Sequence, residues 1–182
     1  MRETSEQGPG EAAEVDAPGV QGEAATAGEQ RAVAALEASG LRYRLVRHGP
    51  VRSLAEAAAA RHLSPDQIVK TLVVRRGEDD YLLVLVPGGR TISWPLLREL
   101  LGVSRLSMPD ATVAREVTGY ERGTITPFGS STPWPVIADA RVPGRAVSIG
   151  AGAHGVAATL DGSAMVLALG ATVADVTEAE PV

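Results

Sequence analysis

The chain has 182 residues, of which 45% are hydrophobic and 21% charged, enough for one soluble domain with a tail. It has no cysteine, which excludes a disulfide framework, a thiolate zinc site, a cysteine nucleophile and thiol redox chemistry. The net charge of -5 is uneven: residues 1–30 carry one base and seven acids, residues 170–182 three acids, leaving 16 bases against 12 acids in between.

Residues 1–28 are rich in Ala, Gly and Glu, with Pro9, Pro18 and no apolar period. They read as a disordered acidic tail, because such a segment cannot offset its ordering entropy. The folded domain is expected over 29–178. A helix is expected over 30–38, stopped by Gly40, and an alternating strand over 42–47. Ser53 and Glu56 form a capping box ahead of an alanine-rich helix, 54–62. Ser64, Pro65 and Gln67 form a second, shorter one. Strands 68–76 and 81–87 follow, joined as a hairpin at Gly77–Asp80.

Ser93 is expected to cap a helix over 94–101 that Gly102 ends. A short strand is expected near 104–107. Asp110 opens a helix to about Val117. A loop rich in Gly, Pro, Ser and Thr spans 118–135. Strands fit 135–139, 145–149 and 155–160, Ser163 is expected to cap a helix over 164–169, and 172–176 reads as a closing strand. A hairpin with helices dispersed between strands implies an α/β fold on a mixed sheet. No apolar run approaches the roughly 20 residues that span a bilayer. No secretory signal is visible at the N-terminus, so a cytoplasmic protein is expected.

The residue that stands out is Lys70. It is the single lysine beside sixteen arginines, and it lies in an apolar strand. Alternation puts it on one face with Ile68, Leu72 and Val74. An ammonium there needs an anionic or hydrogen-bonding partner, or a route to water. The loop from Gly119 to Gly129 comes second. Its glycines and Pro127 allow main-chain amides to turn toward a ligand, and such amides can hold a carbonyl or oxyanion. Third is Ser148–Gly155. It contains G-x-G-x-x-G but precedes a strand, so it reads as a glycine-lined turn and not a dinucleotide site. His48, His62 and His154 are widely spaced and share no metal-ligand pattern, so no metal and no cofactor is expected. His154 sits beside the glycine turn. Asp139, at a strand end, is placed to pair with a cation.

Four segments together, LSPDQIVKTLVV (63–74), VTGYERGTITPFG (117–129), PVIADA (135–140) and SIGAGAHGVAATL (148–160), resemble the YbaK/EbsC-type, or prolyl-tRNA synthetase-associated editing domain, family. The likeness covers about residues 30–177. It implies a compact α/β domain around a curved mixed sheet flanked by helices. It also implies a metal-independent, trans-acting deacylase that hydrolyses the ester of mischarged tRNA. The substrate would carry a small amino acid such as Cys or Ala, on a proline tRNA. Aminoacyl-tRNA would be the partner, together with a prolyl-tRNA synthetase. By the same likeness Lys70 is the essential residue, and Gly123, Thr124, Ile125, Thr126 and Pro127 form the loop that shapes the amino-acid pocket. Gly150, Gly152 and His154 fall in the glycine stretch that lines it. The alternative is a binding module for a nucleotide, an aminoacyl group or a protein, without turnover. A hydrolase of small esters or amides is the third reading.

Overall fold

The computed structural model describes residues 24–182. In chain order the elements are α1 (Ala27–Ala38), β1 (Tyr43–Arg47), α2 (Leu54–Ala60), a single 3-10 turn (Pro65–Gln67), β2 (Ile68–Gly77), β3 (Asp80–Pro87), β4 (Arg90–Ile92), α3 (Trp94–Leu101), α4 (Ala111–Thr118), β5 (Val136–Asp139), β6 (Ala146–Gly150), β7 (Val156–Asp161), α5 (Gly162–Ala168), β8 (Thr172–Ala174) and β9 (Thr177–Ala179). Seven strands make one mixed sheet in the order β1-β7-β6-β2-β3-β5-β8, and β4 pairs with β9 in a separate ribbon. Within the sheet β2 runs antiparallel to β3 and parallel to β6. This is the expected α/β architecture, with helices flanking a mixed sheet.

Local chemistry explains most boundaries. Ser53 Oγ accepts from Glu56 N at 3.1 Å and starts α2. Asp110 Oδ1 accepts from Val113 N at 2.9 Å and starts α4. Gly102 ends α3 with φ of +64°, a conformation glycine adopts without penalty.

Five expectations need correction. Helix α1 begins at Ala27, three residues early, because Thr26 Oγ1 accepts from Glu29 N at 3.1 Å. Thus only residues 1–23 of the expected tail lie outside the described residues. Ser93 sits ahead of α3 without a side-chain cap; its backbone amide donates to Val176 O at 2.8 Å instead. The segment 104–107 forms no strand, only a single bridge from Ser107 to Arg75. Asp161, not Ser163, caps α5, through Ala164 N at 2.8 Å, and Ser163 Oγ accepts from Gly144 N. The ribbon of β4 and β9 was not expected.

The sheet has two apolar faces. On one, Val69, Val73, Leu83, Leu85, Val147 and Ile149 pack under Leu36 of α1, Ala114 of α4, Met165 of α5 and Phe128. On the other, Val74, Val84, Val86 and Ile137 pack under Leu97 of α3, Ile92 of β4 and Val176, with Leu72 and Trp94 at the margin. Each large side chain buried in these layers contributes about 1.5–3 kcal/mol. Alternation therefore places Lys70 on the second face with Leu72 and Val74, as expected.

Candidate active site

Lys70 leaves β2 half-buried. Its Nζ donates to Arg90 O at 2.8 Å and to Glu180 Oε1 at 2.7 Å. The first contact is held from behind. Arg90 Nε donates to Thr177 Oγ1 at 2.6 Å, and that hydroxyl donates to Asp139 Oδ2 at 2.8 Å. Buried Asp139 is the cation partner expected of it: it pairs with Arg141 at 3.0 Å. Its role is to anchor the ribbon whose Arg90 carbonyl receives the lysine.

The parallel ladder between β2 and β6 pairs Ile68 with Ser148 and Val69 with Ile149. Lys70 and Gly150 are each the next residue after that last pair. The missing side chain of Gly150 points to the lysine's face, because Ser148 and Ile68 share that face. A Cβ built on Gly150 would lie 3.3 Å from Ile125 O and 3.7 Å from Thr124 O. Lys70 and Gly150 thus lie on one face of the sheet, just beyond the paired residues of β2 and β6, and the Thr124–Ile125 main chain lies against Gly150.

The loop is held firmly. Tyr120, buried, donates its hydroxyl to Phe128 O at 2.8 Å, closing the segment on itself. Arg31 of α1 stacks on the Tyr120 ring, 4.8 Å from its centre, and donates to Gly119 O at 2.7 Å. Burial pushes the Tyr120 hydroxyl above its ordinary pKa, against the pull of Arg31. Trp134, edge-on to Tyr81 at 5.3 Å, donates to Val117 O at 2.7 Å and fixes the far end.

Within the loop, Thr124 and Thr126 are buried and use their hydroxyls internally, toward Glu121 O and Phe128 N. The expected inward-facing amides are only partly realised. Thr124 N is spent on Glu121 O, and carbonyl oxygens, not N–H groups, approach Gly150. The amides of Gly123 and Ile125 donate to no described residue. His154 is exposed, 3.6 Å from Glu121, and its ring would touch a Cβ placed on Gly123. Pro127 is half-buried.

Gly152 lies deeper than the others. With φ of +81° and a would-be Cβ 2.3 Å from Gly28 O, it lets α1 close on the glycine turn. Gly152→Ala is expected to cost more than about 1 kcal/mol, seen as a lowered thermal midpoint. An unchanged midpoint would contradict that reading.

Sequence reasoning passed over Arg61, Arg90 and Glu180, and gave Ser148 no role beyond opening the glycine stretch. Arg61 Nε donates to His48 Nε2 at 3.3 Å and Nη1 donates to Ser148 Oγ at 3.2 Å. An open concavity of about 620 Å³ lies at the far end of β2, lined by Arg75, Arg76, Arg98 and Arg105 among others; it includes none of the candidate residues.

Residues 48–166 match the family model described as the aminoacyl-tRNA editing domain. The chain belongs to that family. Two curated proteins named proline–tRNA ligase, from Thermoanaerobacter sp. (strain X514) and Thermoanaerobacter pseudethanolicus (strain ATCC 33223 / 39E), are each 30% identical to it over 95 residues. That stretch is 51% of this chain but 16% of theirs, so the editing domain spans a small part of those relatives. The crystal structure of "a putative trans-editing enzyme for prolyl tRNA synthetase" has a TM-score of 0.77 at 29% identity, covering 84% of this chain and 98% of that one. Hypothetical protein APE2540 has a TM-score of 0.74 at 31% identity, covering 81% and 99%. The editing domain contains no group of three or more His, Cys, Asp or Glu placed to hold a metal among its described residues. No helix among them is long and apolar enough to cross a membrane.

Proposed function

We propose that this editing domain is a trans-acting deacylase that hydrolyses the ester of a mischarged tRNA carrying a small amino acid such as Cys or Ala, on a proline tRNA. The observation that supports this most is that Lys70 and Gly150 share one face of the sheet, with the Thr124–Ile125 main chain against Gly150. An aminoacyl ester is already activated, so positioning and electrostatic stabilisation are sufficient and no strong nucleophile is required.

In this reading the Lys70 ammonium faces the ester carbonyl oxygen. It stabilises the negative charge that develops there as water adds to the acyl carbon. The Thr124 and Ile125 carbonyls accept from the substrate's α-ammonium. The neighbouring hydroxyl of the terminal ribose orients the water. The acyl C–O bond then breaks, the ribose oxygen leaves as a hydroxyl carrying one of the water protons, and the free amino acid departs. The step uses no metal and no cofactor. Substrate arrival requires Glu180 to release Lys70. Both side chains of that pair are more than a third exposed, 35% and 47%, and such a pair is worth only about 0.2–1 kcal/mol. Glu180→Gln is therefore expected to raise kcat/KM by up to about 5-fold. A fall would make Glu180 a positioning group and not a competitor.

The test is incubation of the full chain with Ala-, Cys- and Ser-charged tRNA. Release of amino acid from one of them, dependent on Lys70, supports the deacylase. Binding without release supports a non-catalytic module, and equal turnover of small esters lacking tRNA supports a general esterase.

A further inference from the structure

Arg61 follows the last turn of α2 and is half-buried. Its two partners are His48 and Ser148, neither of them a carboxylate. His48 Nδ1 lies 2.8 Å from Gly49 O, and His48 Nε2 lies 3.3 Å from Arg61 Nε, which donates to it. No carboxylate pairs with Arg61 among the described residues, whereas Arg47, Arg141 and Arg145 are paired with Glu29, Asp139 and Asp66. Burial pulls its guanidinium below the ordinary arginine pKa, with no counterion to oppose the shift. A partly dehydrated cation without a counterion is costly. Of its five N–H donors, one on Nη1 and both on Nη2 remain uncommitted, the arrangement that grips two oxygens of one anion.

The position matters as much as the charge. Ser148 pairs with Ile68, two residues before Lys70 along β2. The guanidinium is therefore anchored on the lysine's face, about 7 Å back along the strands. That is comparable to the distance across one ribose, from the oxygen that carries the ester to the phosphate on the 5′ side.

We propose that Arg61 forms an anion site for the phosphodiester on the 5′ side of the substrate's terminal nucleotide. This rests on the deacylase reading above. The aminoacyl group offers no free carboxylate, since its own is esterified, so the phosphate is the nearest anion of the substrate. His48 and Ser148 hold the guanidinium in place through Nε and Nη1.

The experiment uses the full chain and two minimal substrates: an aminoacyl group on the 3′ oxygen of adenosine, and the same ester on adenosine 5′-monophosphate. The wild type is expected to favour the phosphorylated ester by roughly 10–100-fold in kcat/KM, the value of charge-assisted hydrogen bonds. Arg61→Gln brings that ratio close to one, and Arg61→Lys retains part of it. An equal fall on both substrates, with the ratio preserved, overturns the proposal and leaves Arg61 a structural residue. If the wild type turns over neither ester, the deacylase reading is judged on charged tRNA as above, and calorimetric titration with adenosine 5′-monophosphate, adenosine and inorganic phosphate decides the anion site. Nucleotide binding that is lost in Arg61→Gln and absent for adenosine supports it. Nucleotide binding unchanged by the substitution, or inorganic phosphate bound as tightly as the nucleotide, overturns it.

Discussion

Lys70→Ala is expected to lower the deacylation rate by about 10²–10³-fold while the fold survives, the loss typical of removing one donor to a developing oxyanion. The fold should survive because the structural share of Lys70 is small. Its carboxylate partner Glu180 is exposed, and its other contact is a single main-chain carbonyl. Losing an exposed pair costs about 0–1 kcal/mol. Lys70→Arg is expected to recover little of the rate. The planar guanidinium is larger and presents its donors in a different geometry from the compact ammonium that meets Arg90 O. Single-turnover release of labelled amino acid measures the rate, and a thermal melt checks the fold. Full activity in Lys70→Ala would end the proposed mechanism.

Much of this was legible because it was local. Capping residues such as Ser53 and Asp110 act within one helical turn, so their meaning lies in adjacent positions. The alternation of Ile68, Lys70, Leu72 and Val74 likewise assigned the lysine's face before any coordinates. The failures share a different physics. The β4–β9 ribbon joins two three-residue segments distant in the chain, each too short to show a period. Arg61 meets Ser148 across 87 positions, and neither residue marks itself in an ordinary helix end and strand. Asp161 and Ser163 are both good cap formers two residues apart. Only the path of the chain out of β7 decides between them. The loop amides failed for a related reason. Glycine content signals that a chain can turn, but not which of its polar groups the turn directs inward.

Asp139→Ala is expected to be the most destabilising substitution that touches the site from outside it. The carboxylate is fully buried and accepts from Arg141 N, Arg141 Nη1, Val176 N and Thr177 Oγ1. Removing it strands buried donors, at about 1–3 kcal/mol each, so a total on the order of 3 kcal/mol is expected. Arg141 adds less, because its side chain is 42% exposed and water can meet it. Burial alone would push the Asp139 carboxyl up, but the hydrogen bonds from Arg141, Thr177 and Val176 outweigh it and hold the pKa below the usual aspartate value. A depressed folded-state pKa gives stability that is fully present above the unfolded value near 4 and lost as pH falls through the folded value. Wild-type melts should therefore weaken below about pH 4. Asp139→Asn should start lower at pH 7 and lose less on acidification. An Asp139→Asn protein with the same acid sensitivity as wild type would refute this assignment. The same variant reports on the site, because Val176 and Thr177 hold the ribbon that carries Arg90 and Glu180. With that anchor gone, limited proteolysis should cut after β8 first, and Lys70 should lose both of its present partners together.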